Sequence, residues 1–524
     1  MPRPYRATRC QRLIQLLSLG LFIYLFSRAV GEPQVWSSGF FLKLDPVVAT
    51  ILALSGQLVW PGLLLWLITA LAGRLFCGYV CPFGLTLDLV RGLKRLIFFR
   101  AKPKPPRPLA PRARFYKFFG LTALMAAAVA GLNLYFWAAP IPLVTRFYAL
   151  LLYPAFTRAA HLASSARAFD GLAFMLIFFG LVFWLEWRWP RFWCRVLCPA
   201  GSILALFSRG PLWRRRVADT CTGCGRCRSA CPAGAISPDG RSTLWGECFT
   251  CRACQEVCPT RAVRFGLTNR PGDRSMSAPA TGLGCTRRAL LGSAAAGLAL
   301  AWGQSAGATA ALGLAGYPLK RLVRPPGARP EDQFLLLCLR CGACYKVCPT
   351  NGLAPAGLAG GLAGLFSPFL LARRGPCEPS CARCGQACPS GAIPPLPLTE
   401  KSWAKMGTAV VLKETCLAWA EGRRCVVCQE VCPYGAVNLA REPGGLVAAP
   451  VINPARCFGC GYCQKHCPVS QPAIVVEAAG ALRLEDSQYQ REGLARGLKL
   501  GLDARPDEEI IPDDQPPPGF LELK

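Results

Sequence analysis

Histidine is the scarcest useful residue in this chain, with two in 524 positions. A membrane cytochrome b needs axial histidines inside its helices, and neither His161 nor His466 falls in an apolar run. No Cys-x-x-Cys-His occurs, which excludes covalent c-type haem. There is no P-loop, no Gly-x-Gly-x-x-Gly after a strand and no Ser–His–Asp order, so no organic active site is visible. Acidic residues are also few, 29 against 60 Lys and Arg, for a net charge of +31. In a soluble protein that excess would suggest nucleic acid. No recognition motif accompanies it, and the basic residues concentrate beside apolar stretches, where they orient a chain in a lipid bilayer. Nucleic acid is therefore not an expected partner.

What the chain has in abundance is cysteine, 30 residues. Disulfide scaffolds are small and secreted, so the choice lies between zinc and iron–sulphur clusters. Four sets follow Cys-x2-Cys-x2-Cys-x3-Cys-Pro, the bacterial two-cluster ferredoxin run. They are Cys221, Cys224, Cys227, Cys231; Cys248, Cys251, Cys254, Cys258; Cys338, Cys341, Cys344, Cys348; and Cys457, Cys460, Cys463, Cys467. Two more depart from that spacing: Cys377, Cys381, Cys384, Cys388 opens with Cys-x3-Cys, and Cys416, Cys425, Cys428, Cys432 has eight residues in its first gap. Zinc ribbons use isolated Cys-x2-Cys pairs without a third cysteine and a proline. Six [4Fe–4S] clusters are predicted.

In such runs three cysteines wrap one cubane and the fourth ligates the neighbouring one. Cys221, Cys224, Cys227 and Cys258 should thus hold one cluster, and Cys248, Cys251, Cys254 and Cys231 another. For the four later sets the expected sharing is outer with outer and inner with inner. Ala235-Ile236, Ala262-Val263, Ala392-Ile393, Ala436-Val437 and Ala473-Ile474 read as short apolar strands that close each ferredoxin half. Cys10 and Cys285 have no partner spacing and read as incidental.

Four apolar stretches, Leu13–Val30, Pro46–Ala72, Phe118–Ala139 and Leu172–Trp187, are each a plausible membrane span. A fifth, Ala289–Leu319, follows Thr286-Arg287-Arg288, a pattern like a twin-arginine export signal. Arginines before the first span and basic loops after the second and fourth place the N-terminus and residues 206–270 in the cytoplasm. Pro140–Ala168 is then external, and a fifth crossing carries the C-terminal half outside. The fold class is multidomain: an α-helical membrane domain of four spans plus a fifth linking helix, with α+β bacterial-ferredoxin-like domains. The expected divisions are 1–205 (membrane helices), 206–270 (cytoplasmic two-cluster ferredoxin), 271–325 (linker and fifth helix), 326–485 (periplasmic four-cluster ferredoxin) and 486–524 (acidic, proline-rich tail).

The membrane part repeats itself. Phe76-Cys77-Gly78-Tyr79-Val80-Cys81-Pro82-Phe83-Gly84 follows the second span, and Trp193-Cys194-Arg195-Val196-Leu197-Cys198-Pro199-Ala200-Gly201 follows the fourth. Two such pairs could make a four-thiolate site. Reversible disulfides and simple packing are the alternatives, so Cys77, Cys81, Cys194 and Cys198 stand as candidates for an additional metal or redox centre.

With these motifs in hand, residues 1–270 resemble the NapH-type membrane subunit of quinol dehydrogenases serving periplasmic nitrate reductase. Related proteins include a nitrous-oxide reductase accessory flavoprotein and a cytochrome-oxidase-assembly ferredoxin. Residues 285–480 resemble the exported four-cluster partner of NapG type, also like the methylamine-utilisation ferredoxin. The marks are Thr286-Arg287-Arg288, Cys377-Glu378 to Cys388-Pro389, and Met406-Gly407-Thr408-Ala409 leading to Cys416 and Arg424-Cys425. No flavin-attachment domain is visible, so neither flavin nor haem is expected. The resemblance implies a chain of the bacterial inner membrane that takes electrons from the quinone pool, menaquinol foremost, and passes them to a periplasmic redox protein or reductase. The two parts are ordinarily separate subunits and are fused here. Two other functions fit the same residues: a relay from a cytoplasmic ferredoxin without quinone chemistry, and a metal-reducing maturation factor or regulator.

Overall fold

The computed structural model describes residues 6–28, 39–49, 60–97, 111–155, 172–208, 210–267, 287–305, 322–357, 360–441 and 447–500. Thr286, Cys285, His161 and the acidic tail lie outside the described residues, so the expectations placed on them are not addressed below.

The apolar first half is helical over most of its described residues. Arg6–Arg28 opens the chain, and its Cys10–Ser27 stretch is the one described helix long and apolar enough to cross a membrane alone. Trp60–Ala72 has 13 residues, then turns through 97° into Leu75–Leu93. Gly73, at φ +75°, makes that turn. Tyr116–Val129 and Leu172–Arg188 have 14 and 17 residues. The five expected crossings thus appear as one full-length helix, one bent pair and shorter helices.

Pro140–Phe147, at the start of the segment expected on the external side of the membrane, is packed inside the protein. Every residue but Phe147 is buried, because the only cation, Arg146, is satisfied inside: it donates to Arg340 O at 3.0 Å and Phe136 O at 3.2 Å. A guanidinium whose donors meet carbonyls can be buried without a carboxylate partner.

Arg287–Ser305 is the linking helix. It lies along Tyr116–Val129 through a small-residue face, where a side chain on Gly297 would strike Ala123 O. Thr122 and Ser293 share a hydroxyl hydrogen bond of 2.6 Å across the same seam. Small residues let two helix backbones approach without a bulky layer between them.

The cysteine-rich parts contain four two-stranded antiparallel sheets. β1 (Trp213–Val217) pairs with β2 (Val263–Leu267), one before and one after the first two cysteine sets. β3 (Leu353–Pro355) pairs with β4 (Pro368–Leu370). β5 (Thr408–Val411) pairs with β8 (Ile474–Glu477), enclosing the last two sets, and β6 (Val437–Ala440) with β7 (Ala449–Ile452) lies between them. Of the expected closing strands, Val263, Val437 and Ile474 fall in β2, β6 and β8; Ile236 makes a single bridge to Thr243, and Ala392-Ile393 is not extended into a strand.

One apolar core joins both halves. Cys81, Cys194 and Cys198 of the helical repeat belong to it, as do Phe249 beside the second cysteine set and Cys338, Cys341 and Cys344 of the third. Tyr116–Val129 helps to set the separation of the two cluster regions. Near its start, Lys117 meets Glu247 at 2.6 Å. Just beyond its end, Asn133 donates to Leu336 O at 2.7 Å and accepts at its carbonyl from Arg340 at 2.7 Å. A helix of that length runs about 20 Å, so the two cysteine-rich regions sit near opposite ends of the same apolar bundle.

Candidate electron-transfer site

The cysteine loops share a recurring backbone pattern. In the four sets with standard spacing, the residue two after the first cysteine and the residue after the second are both left-handed. These are Gly223 and Gly225, Thr250 and Arg252, Arg340 and Gly342, and Gly459 and Gly461, with φ between 50° and 84°. The alternation turns three successive side chains inward. In the sets with altered spacing the equivalent residues Ala382 and Val426 are at φ −122° and −120°, so the changed gap replaces that turn with a different loop.

The loops bring cysteines together in fours. Cys338, Cys341, Cys344 and Cys388 line one cavity of about 360 Å³. Cys457, Cys460, Cys463 and Cys432 line another of about 330 Å³. Cys416, Cys425, Cys428 and Cys467 line a third of about 380 Å³. Cys377, Cys381 and Cys384 face Cys348. In the earlier domain Cys248, Cys251 and Cys254 gather with Cys231, Cys227 stands with Cys221 and Cys224, and Cys258 shares one apolar cluster with Cys227, Cys231 and Cys254.

Sharing among the last four sets therefore runs between sequence neighbours, 338 with 377 and 416 with 457. The expected outer-with-outer arrangement is incorrect. The reason is the strand order: β5 and β8 pair around the 416 and 457 sets and close them as one unit, which leaves the 338 and 377 sets to each other. The two units then meet directly, with Cys377 N–H donating to Cys460 O at 2.8 Å and Tyr462 OH to Glu378 at 2.6 Å.

Among the described residues, no three of His, Cys, Asp or Glu converge closely enough for a single metal ion. The cysteines instead surround a shared space in fours, the ligand number of a [4Fe–4S] cluster. The backbone prepares the sulphurs for negative charge. Cys231, Cys388, Cys432 and Cys467 each accept an N–H from a residue four to six positions on, at 3.3–3.4 Å. Hydrogen bonds to cluster sulphurs are one of the levers that set potential. His466 is exposed, with Nδ1 3.0 Å from Tyr462 O, and faces no cage.

The two helical repeats also meet. Cys77, Cys81, Cys194 and Cys198 line a single cavity of about 400 Å³ together with Asp45, Arg74, Pro140, Ile141 and Gly201. Cys81-Pro82 and Cys198-Pro199 each start a helix, with proline in the first turn, where its missing N–H costs nothing. Cys81, Cys194 and Cys198 are buried.

Sequence reasoning missed two residues here. Arg74 and Arg191 each stand three positions before the first cysteine of a repeat, so the shared pattern is Arg-x2-Cys-x3-Cys-Pro-x-Gly. That recurrence was the available signal. The structure shows a reciprocal exchange. Arg74 occupies the space a side chain on Gly201 would need, and Arg191 the space a side chain on Gly84 would need. Arg74 Nη2 is 3.9 Å from Cys77 Sγ, and its Nη1 reaches Gly246 O at 3.2 Å, beside the second cysteine set. Arg191 is held by both oxygens of Asp88, at 3.1 and 2.5 Å.

With this geometry described, comparison with known proteins is informative. A 4Fe-4S binding domain model matches residues 52–105 and 172–218, a 4Fe-4S dicluster domain model matches 214–259, a second dicluster model 423–471 and a further 4Fe-4S binding domain model 338–351. The chain is 40% identical over 166 residues to the methylamine utilization ferredoxin-type protein MauM of Methylobacillus flagellatus, covering 30% of this chain and 69% of that protein. It is 37% identical over 185 residues to the ferredoxin-type protein NapG of Escherichia coli, covering 33% and 78%. The chain belongs to the MauM and NapG family of ferredoxin-type proteins. NapF of Escherichia coli is also similar, 33% identical over 155 residues, covering 30% and 84%. No solved structure matches. This ferredoxin-type chain is thus an iron–sulphur electron-transfer protein carrying several [4Fe–4S] domains.

Proposed function

We propose that the chain moves electrons across the bacterial inner membrane, from quinol to a periplasmic redox protein or reductase, through six [4Fe–4S] clusters. Its role is that of a quinol dehydrogenase-type electron-transfer module working with partners. The clusters would be held by the four-cysteine groups described above: Cys221, Cys224, Cys227 with Cys258; Cys248, Cys251, Cys254 with Cys231; Cys338, Cys341, Cys344 with Cys388; Cys377, Cys381, Cys384 with Cys348; Cys457, Cys460, Cys463 with Cys432; and Cys416, Cys425, Cys428 with Cys467. When bound, each cluster supplies reversible one-electron carriage.

The observation that carries this reading is the placement of the two cysteine-rich regions near opposite ends of the Tyr116–Val129 helix, with one apolar core between them. A chain that only handled electrons on one side would have no need of that separation. The protein residues keep the path dry and fixed: Phe249 and Leu339, 2% and 3% exposed, back the loops that face the helical part. In this topology the N-terminus and residues 206–270 are cytoplasmic and residues 326–485 are periplasmic, with Arg287–Ser305 as the exported linker of a twin-arginine-like segment. Cys77, Cys81, Cys194 and Cys198 would form an additional metal or redox centre near the point of quinol entry.

The test is to add menaquinol to the anaerobically purified full chain and follow the clusters by EPR. New reduced-cluster signals are expected. Clusters that stay oxidised with menaquinol but reduce with a low-potential soluble ferredoxin would overturn the quinol step and leave a transmembrane relay. One feature favours that second reading: Cys224 is exposed, so a soluble donor can approach its cage.

A further inference from the structure

We propose that the open edge of the Cys221, Cys224, Cys227 loop is the docking surface for an acidic, soluble one-electron carrier of ferredoxin type, held by a rim of Arg226, Arg228, Arg241 and Arg261. This deepens the relay reading above and rests on it for the presence of a soluble partner. Three features of the first cysteine-rich region carry it.

The first is openness. Among the cysteines of the six sets, Cys224 alone is exposed. Equivalent glycines in the loops of standard spacing differ in the same way. A side chain on Gly223 or Gly225 would meet nothing within 4 Å among the described residues. One on Gly459 would strike the Gly407 backbone at 2.6 Å, one on Gly342 would press on Ala149 at 3.0 Å, and one on Gly461 would collide with Ala372. In the Cys248 set the equivalent Thr250 is buried. Protein therefore covers this turn in the other three loops and leaves it bare in the first. Electron exchange falls off steeply with distance, so a carrier must reach an uncovered edge.

The second is charge. Arg226 and Arg228 lie on the short helix Arg226–Ala230 inside the loop. Arg261 N–H donates to Cys258 O at 3.3 Å. Arg241 follows Gly240, where a Cβ would stand 3.6 Å from Cys227 Sγ. All four arginines are exposed. None of the ion pairs among the described residues involves them. The exposed carboxylates of residues 210–267 are Asp219 and Asp239, and Asp239 is engaged by the Ser237 hydroxyl and the Arg241 N–H. The Cys416 set differs. Its exposed charges balance, with Lys413, Arg423 and Arg424 beside Glu414, Glu421 and Glu430, and Arg423 pairs with Glu421 at 3.3 Å. A balanced rim selects no sign of partner, whereas a basic rim selects an acidic one and steers it in from a distance.

The third feature lies beneath the rim. Arg215 is 2% exposed, and its Nη2 is 3.5 Å from Cys227 Sγ. A buried cation donating to a ligand sulphur favours the more negative, reduced state of the cage. In the exchange the reduced carrier gives up one electron and the cage takes it; no bond forms or breaks and no proton moves.

The experiment uses the full chain, purified without oxygen in detergent, with a plant-type [2Fe–2S] ferredoxin as the acidic carrier. Two quantities are read: Kd for the oxidised ferredoxin, and the second-order rate at which reduced ferredoxin bleaches the chain in stopped flow. Raising salt from about 0.01 to about 0.15 M shortens the screening length from about 30 to about 8 Å, and should weaken both about tenfold. Arg226→Glu with Arg228→Glu should do the same at low salt, and Arg423→Glu with Arg424→Glu should change neither. Reduction by the neutral deazaflavin radical should be equal in all three proteins, which shows their cages intact. If the first pair loses iron, Arg241→Glu with Arg261→Glu carries the same expectation. Reduction by ferredoxin that is indifferent to salt and to charge reversal would overturn the docking surface and leave the relay reading standing. Salt-dependent binding, lost on charge reversal but without electron transfer, would sink the relay reading and leave the surface. Absence of binding at either salt would overturn the proposal. So would native protein in nanodiscs of anionic lipid binding as weakly as the charge-reversed variant, since the rim would then belong to the bilayer.

Discussion

The helical half and the ferredoxin half both gather cysteines in fours, but by different means. In the ferredoxin half the ligands lie on loops whose left-handed residues aim three sulphurs from one short stretch, and the fourth comes from a neighbouring set. In the helical half two cysteines come from each of two repeats, one on a short helical turn and one at the start of the next helix. Loops borrow their rigidity from the group they enclose, as in metal domains that fold on binding. Helices packed in an apolar core already have it. The comparison teaches that one sulphur geometry can be made by turn chemistry or by helix packing, and that the two should respond differently to mutation.

The largest expected difference lies in cross-ligation. Cys432 sits in the third of the four later sets yet faces the cavity of Cys457, Cys460 and Cys463. Cys432→Ala should therefore remove the cluster of the 457 set and spare that of Cys416, Cys425 and Cys428, a loss of about four irons. Iron analysis with EPR of the remaining centres checks it. Loss of the 416-set signal in place of the 457-set signal would refute the assignment.

Next in size is the joint between the halves. Lys117 is 1% exposed and its ammonium contacts both oxygens of the Glu247 carboxylate at 2.6 and 2.7 Å. Removing one partner of a buried pair leaves an uncompensated charge and costs about 3–5 kcal/mol. Glu247→Ala should lower Tm in detergent accordingly, and the double change Glu247→Ala, Lys117→Met should restore most of it. An equal loss in single and double variants would show that the pair is not what joins the two-cluster domain to the helices.

Smaller again is the glycine exchange. A methyl at Gly201 meets Arg74 Nη2 at 2.7 Å, the far end of a flexible side chain. Overpacking of this kind costs about 1–3 kcal/mol. Gly201→Ala should destabilise the helical half and leave the ferredoxin spectra untouched, whereas Gly223→Ala, with open space but a φ of +67°, should disturb the loop around Cys224 instead. Melting followed by iron absorbance and by helical circular dichroism separates the two.

Cysteine spacing makes the ferredoxin loops legible in the amino-acid sequence, because the ligand pattern and the turn pattern are both local. Pairing of the later sets is not legible there, since it depends on β5 meeting β8 across more than sixty residues. Hydropathy finds the apolar segments but not their bends. The second apolar run turns through 97° after Ala72 into Leu75–Leu93, and Asp45 lines the cysteine cavity. The roles of Arg74 and Arg191 are hidden for a similar reason: each acts on the other repeat, and a motif read along one stretch of chain does not report contacts between copies.

The smallest predicted effect concerns which half owns the linking helix. Arg287–Ser305 could be a tether that merely passes the bundle or a member of it. The Thr122–Ser293 hydrogen bond and the fit of Gly297 on Ala123 argue for membership. Hydroxyl pairs between apolar helices contribute about 0.6 kcal/mol on average. Ser293→Ala alone should therefore shift Tm only slightly, and a double-mutant cycle with Thr122→Ala should return a coupling of about that size. Gly297→Val supplies the sterner form of the question, because its side chain must displace the Ala123 backbone. If the helix belongs to the bundle, that variant should lower Tm of the helical half and leave the four-cluster domain intact. If both changes are silent, Arg287–Ser305 is a tether, and the shared apolar core with the contacts of Arg146, Asn133 and Arg340 holds the C-terminal cysteine-rich region to the helices.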